Sequence, residues 1–310
     1  MGATSGTPVI TSLSPNSATS GGSAFTLTAN GSGFANGAVV LWNGSPLSTN
    51  FGGSSTQLSA SVPASLIATP GMANITVVNP NGLGSNVIAF TITSTSPLSI
   101  AQIADGSSWT TQIQVVNLDS VPINYSFQFW DDNGNPLQLP FVNGTAGTFS
   151  GTLAVGGTAF AKTPGTSPAL AEGWAQAISN GRIGVLTIFK QSVSGRPDSE
   201  GTVTGVQSGS RVLLPFDDTN GYATGVAVAN TNATQTLFIS LQFKTDSGAT
   251  STGSLSLPPH AHTAFVLTSM YPALAGVRGS IAFTASTPDI AVVGLRFSPT
   301  NSFTSLGAFQ

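Results

Sequence analysis

The sequence predicts an all-β chain of three β-sandwich domains in series, the last two being copies of one fold. Three observations predict it. Turn formers are abundant, with 36 Gly and 19 Pro among 310 residues, while Thr, Val, Ile and Phe, which suit a pleated half-buried surface, fill the segments between them. Short apolar runs recur at the spacing of sandwich strands. The second half of the chain aligns with itself.

The first segment, residues 8–93, alternates strand candidates with turn clusters: "PVITSLSP", "FTLTANGSGF", "AVVLWNG", "TQLSASVP", "ANITVVNPNGLGS" and "NVIAFTI". In "FTLTA", Phe25, Leu27 and Ala29 fall on one face and Thr26 and Thr28 on the other. Gly31 and Gly33 suit a bulge or turn needing positive φ, and Asn43-Gly44 is a hairpin signal. An ordered set of landmarks carries a resemblance. It comprises Pro8-x-Ile10, Ser14-Pro15, Gly21-Gly22, Gly31-Ser32-Gly33-Phe34, Val40-x-Trp42-Asn43-Gly44, Val62-Pro63, Gly71, Val77-x-Asn79-Pro80-x-Gly82 and Ser85-Asn86. With these, residues 7–93 resemble the IPT/TIG family, which implies an immunoglobulin-like sandwich over 1–94.

"TSTSPLS" (93–99) reads as a linker. Beyond it, "IADGSSWTTQIQVVN" (103–117) aligns with "FDDTNGYATGVAVAN" (216–230), and "SFQFWDDNG" (126–134) with "SLQFKTDSG" (240–248). "TAF" recurs at 158–160 and 263–265, and "SPAL" (167–170) aligns with "YPAL" (271–274). The reading is therefore one sandwich at 98–207 and its copy at 208–310. Each has about seven strands, with a short helical turn near "SPALAE" and "SMYPALAG". The pair resembles uncharacterised tandem modules of large secreted acidobacterial-type proteins, which implies an extracellular or cell-surface setting. No activity comes with that resemblance. The start, "MGATSGTPVI", lacks the features of a signal peptide, so the protein is either cytoplasmic or its signal has been trimmed, and the resemblance implies the trimmed signal.

Composition excludes much. Charged residues are 6%, against about 25% in an average soluble protein, and none occurs before Asp105. The net charge of −3 gives no footprint for nucleic acid, and no run is long enough to insert in a membrane. With no Cys, thiol chemistry and Cys-based metal sites are out. No G-x-S-x-G elbow or phosphate loop occurs. Glu172 and Glu200 are the only glutamates, so a carboxylate pair for glycoside hydrolysis is hard to assemble. Only a cleft uniting His260, His262 and two carboxylates would support an enzyme. Neither catalytic residues nor a cofactor are expected.

The repeat serves as an internal control, because a residue serving the shared fold should recur in both copies. Asp105 recurs as Asp218, each followed four residues on by an aromatic, Trp109 or Tyr222. These four read either as turn and core residues or as an acidic, aromatic sugar site. Asp132-Asn133-Gly134 recurs as Asp246-Ser247-Gly248 and reads as a turn rather than a calcium loop. His260 and His262 would share a strand face and are weak metal candidates, with no third ligand near. Trp130 alternates against Phe127 and Phe129 and aligns with Lys244, so it is expected to face solvent and is the best contact candidate. Six N-x-[ST] sequons, at Asn30, Asn43, Asn74, Asn124, Asn143 and Asn232, follow from composition. The reading is a non-enzymatic structural or adhesion stalk with protein or polysaccharide partners, or self-association through uncharged strand edges. The alternative is a carbohydrate-binding or accessory module of a secreted polysaccharide-active protein.

Overall fold

The computed structural model describes residues 6–69, 71–93, 96–142, 144 and 146–310, so Asn143 and part of the expected linker (94–95) lie outside the described residues. The chain is β almost throughout, with one four-residue α-helix and two 3-10 turns among the described residues. It is built as paired sheets of three sandwiches and divides into two compact units.

The first unit holds β1 (Val9–Ser14), β2 (Ser17–Thr19), β3 (Phe25–Ser32), β4 (Val39–Trp42), β5 (Ser45–Pro46), β6 (Ser48–Asn50), β7 (Gln57–Val62), β8 (Gly71–Val78) and β9 (Ile88–Thr93). One sheet runs β1-β3-β7-β6 and the other β2-β9-β8-β4-β5. Leu27, Leu58, Trp42, Ile75 and Phe90 meet between them, and the alternation in "FTLTA" is as expected, with Leu27 and Ala29 buried. Asn43 and Gly44 both adopt positive φ, 48° and 84°, as the β4–β5 hairpin requires. Gly33 also has positive φ, but Gly31 does not. Gly31 is needed for a different reason: a Cβ there would lie 1.9 Å from the Val9 carbonyl oxygen. Amides do the tying that ion pairs do elsewhere. The Asn86 side chain accepts from Ile10 N at 2.8 Å and donates to Ile10 O at 2.9 Å. Asn79 accepts from Ala35 N and donates to the carbonyls of Gly6 and Gly33.

The second unit holds the two copies. The first has β10 (Leu98–Asp105), β11 (Trp109–Asn117), β12 (Ile123–Asp131), β13 (Phe149–Leu153), β14 (Thr158–Lys162), β15 (Ala171–Ser179), β16 (Ile183–Gln191) and β17 (Ser199–Thr204). The second has β18 (Arg211–Asp217), β19 (Ala223–Asn230), β20 (Leu237–Thr245), β21 (Thr250–Leu257), β22 (His262–Val266), β23 (Arg278–Thr284), β24 (Ile290–Phe297) and β25 (Phe303–Leu306). The sheets run β10-β15-β12-β13 and β14-β11-β16-β17 in one copy, and β18-β23-β20-β21 and β22-β19-β24-β25 in the other. Strand for strand the order is identical, with eight strands per copy rather than seven. The helical turn forms only in the second copy, as α1 (Leu267–Met270) and a 3-10 turn at Pro272–Leu274. In the first copy Ala171 and Glu172 already belong to β15.

The duplication extends to buried polar groups. Asn117 Nδ2 donates to the carbonyls of Val121, Leu153 and Ala154, and its Oδ1 accepts from Asp119 N. Asn230 repeats this with Gln235, Leu257, Pro258 and Asn232. Each asparagine side chain ties carbonyls of a following turn to those at the end of a neighbouring strand.

A fourth apolar cluster joins the copies. Ala101, Trp130 and Trp174 from the outer face of the β10-β15-β12 sheet pack on Ala227, Ala229, Ala291 and Val293 from the outer face of β19 and β24. Trp130 is therefore 7% exposed, which corrects its placement toward solvent. The equivalent Lys244 is exposed because the copies pack head to tail: the first uses its first sheet, the second its second sheet. Equivalent positions then meet different surroundings. Replacing Asn230 by Ala removes the donor to three carbonyls, the Leu257 one buried and those of Gln235 and Pro258 part-buried, and should cost about 1–3 kcal/mol, as should Asn117→Ala. Urea unfolding that finds either variant as stable as the parent contradicts this role.

Candidate functional site

The joint between the copies positions the groups with chemistry. Trp130 stacks on Trp174 at 4.4 Å between ring centroids and on the His260 ring at 4.3 Å, with interplanar angles of 18° and 15°. Trp174 Nε1 donates to His260 O at 2.6 Å. Gly134 permits the approach, since a Cβ there would lie 2.2 Å from Pro259 O. His260 sits in a turn at positive φ (56°) and β22 begins only at His262, so the two histidines do not share a strand face as expected. His262 Nδ1 lies 2.7 Å from Asp132 Oδ1 and its side chain is wholly buried. Burial lowers the pKa of His260. Among the described residues no group of three or more His, Cys, Asp or Glu is arranged to hold a metal.

Beside this joint opens a cleft of about 320 Å³. The first copy supplies Gln102, Ala104, Trp109, Leu170, Glu172 and Phe189; the second supplies Gly225, Phe265, Val266, Leu295, Phe297 and others. Its walls are aromatic and aliphatic, and Gln102 and Glu172 are the polar side chains among them. They stand on the paired strands β10 and β15. Burial pushes the Glu172 carboxyl above its usual range and neighbouring Asp132 pushes it further, while His262 pulls it down. The structure thus gathers His260, His262, Asp132 and Glu172, but of the four only Glu172 lines the cleft.

The other sequence candidates fall elsewhere. Asp105 is fully buried; its carboxylate accepts from Gly165 N, Ser167 N and Ser167 Oγ at 2.6, 3.1 and 2.6 Å. It pins a loop. Asp218 accepts from Thr224 N at 3.0 Å, and burial raises its pKa. Tyr222 has the Arg296 guanidinium 3.4 Å from its ring centroid, and Arg296 also pairs with Asp217 at 2.5 Å. Thus Trp109 alone of these four reaches the cleft. The Asp132-Asn133-Gly134 segment is a turn, with Asp131 accepting from Asn133 N and Asn135 N. Sequence reasoning missed Gln102, Glu172 and Phe297. The copies did not single out Glu172, because the strand register sets Arg278 opposite it, so both copies carry a charge there, of opposite sign.

The fold and joint define a tandem β-sandwich protein, and comparison with known proteins adds one family. Residues 8–92 match the IPT/TIG domain, so the first unit is an IPT/TIG domain. No curated protein matches the chain. Among solved structures, gamma-CGTase from alkalophilic Bacillus clarkii is similar at 15% identity over 66% of this chain and 26% of that one, with a TM-score of 0.26. The Bacteroides ovatus mixed-linkage glucan utilization locus SGBP-B, solved with a mixed-linkage heptasaccharide, aligns at 11% identity over 95% of this chain and 71% of that one, with a TM-score of 0.20. The chain spans about a quarter of the length of the first. Neither superposition is close enough to place a site here, and none is placed from them.

Two outcomes are expected. Trp130→Ala should lose about 3–5 kcal/mol in chemical denaturation, whereas Phe238→Ala, 74% exposed, should lose almost nothing; equal losses contradict the stack's role. Because burial holds His260 below its ordinary value, the unfolded chain takes up its proton first. Stability from this group is present above pH about 6.5 and falls as pH drops below it. His260→Phe, which keeps a ring in the stack, should flatten that part of the stability–pH curve, and an unchanged curve contradicts it.

Proposed function

We propose that the chain is a non-catalytic glycan-binding module of an extracellular protein, with the cleft between its two repeated sandwiches as the binding site. The observation that carries this is the make-up of the cleft. Trp109 and Phe297 offer ring surface for the apolar faces of a sugar, and Gln102 and Glu172 offer hydrogen bonds at one side. A concave, largely apolar space with a few convergent polar groups is the usual form of a small-ligand site. A catalytic use is disfavoured: His262 is sealed from the cleft and tied to Asp132, which leaves Glu172 without a second acid–base group facing the same space.

A structural or adhesion role is the second reading. It is favoured by the amount of aromatic surface, Trp130 and Trp174 above all, spent on joining the copies. The two readings separate in affinity electrophoresis against a panel of plant and bacterial polysaccharides. Glycan binding predicts retardation by at least one polysaccharide and a roughly tenfold loss in Trp109→Ala, measured well below the variant's own thermal midpoint because the ring also packs on Phe303. Unretarded migration on the whole panel contradicts it and leaves the structural reading.

A further inference from the structure

We propose that the glycan held in this cleft carries free amino groups, with a protonated sugar amine paired to the carboxylate of Glu172. This rests on the glycan-binding reading above. Glu172 lines the cleft, and no Lys or Arg does. The ionisable groups that act on it are Asp132 and His262. Asp132 adds negative charge, and His262 is already engaged with Asp132 at 2.7 Å. A half-buried carboxylate beside a second one is costly, and a cation entering the cleft relieves both terms.

The neighbouring groups select the same ligand. Gln102 hydrogen-bonds to the Glu172 carboxyl, which is the ionisable side chain on the cleft wall among the described residues. The wall thus presents a carboxyl acceptor, and an ammonium group brings three donors and no acceptor. Trp109, Phe265 and Phe297 line the same space, and an aromatic face attracts a cation as well as an apolar sugar face. An acidic sugar would be repelled, while a neutral or N-acetylated one would bring no cation to the negative charge of Glu172 and Asp132. The negative charge is also particular to this joint, because the other copy has Arg278, of opposite sign, at the position equivalent to Glu172.

The test is calorimetric titration of the full chain with a glucosamine oligosaccharide, its N-acetylated form and a glucose oligosaccharide of equal length. The amine form should bind about tenfold tighter than either, and Glu172→Gln should abolish the difference while weak binding to all three persists. If the three bind the parent equally, or Glu172→Gln keeps the amine preference, the inference is overturned while glycan binding stands. If none binds, the inference is overturned as well, and the polysaccharide panel alone then decides the broader reading. Should Glu172→Gln fail to fold, the salt dependence of parent binding substitutes: affinity for the amine form must fall as salt rises, and salt-independent binding overturns the inference.

Discussion

The stack of Trp130 on Trp174 and His260 is the contact on which the rest of the second unit depends. Two sandwiches joined by a short connection would otherwise each solvate both outer sheet faces. Here one face of each is apolar, and the two faces cover one another. The ring plane of Trp130 needs a flat seat, and Ala227, Ala229 and Ala291 provide one where larger side chains would hold the sheets apart. The indole N–H of Trp174 finds its acceptor in the His260 carbonyl, so burial of the indole leaves no orphaned donor. By fixing the copies, this contact brings β10 and β15 of one beside β19 and β24 of the other. The cleft exists only because of that placement.

Charge is scarce, and most of what exists is committed to structure. Asp105 pins a loop, Asp217 pairs with Arg296, Asp246 with Arg278, Lys190 with Asp198 and Asp132 with His262. The first unit has no ionisable side chain before Asp105 and uses Asn79 and Asn86 instead. An amide both donates and accepts, so one residue can close two backbone gaps at once. Against that background a carboxyl on the wall of an apolar cleft stands out. Glu172 bears a desolvation cost and hydrogen-bonds to Gln102 and Asp132, but among the described residues no Lys or Arg acts on it as one does on Asp198, Asp217 and Asp246.

Fold and duplication were legible in the sequence because they rest on local signals: period-two alternation in "FTLTA", the Asn43-Gly44 hairpin, and the shared order of landmarks in the copies. Asn117 and Asn230 show the internal control working, since both copies keep them and both use them identically. Trp130 shows where it failed. Equivalence of sequence position does not imply equivalence of surroundings when copies pack through different sheets, as in any heterologous contact. A clue lay in the strands themselves. "TTQIQVVN" alternates with Gln112 and Gln114 outward, as a strand with one wet face does, whereas "ATGVAVAN" is nearly continuous in small apolar residues, as a strand covered on both faces should be. The cleft was not legible, because its walls come from strands of two separate copies and no local pattern encodes their meeting.

Hydrogen exchange of the full chain, with and without a saturating glucosamine oligosaccharide, tests the central claim most directly. The account predicts new protection confined to the cleft walls, around residues 102–109, 170–172 and 293–297, with the IPT/TIG domain unchanged. Protection that appears only in the first unit, or on the open outer face of β20 and β21, would contradict a binding site at the joint between the copies.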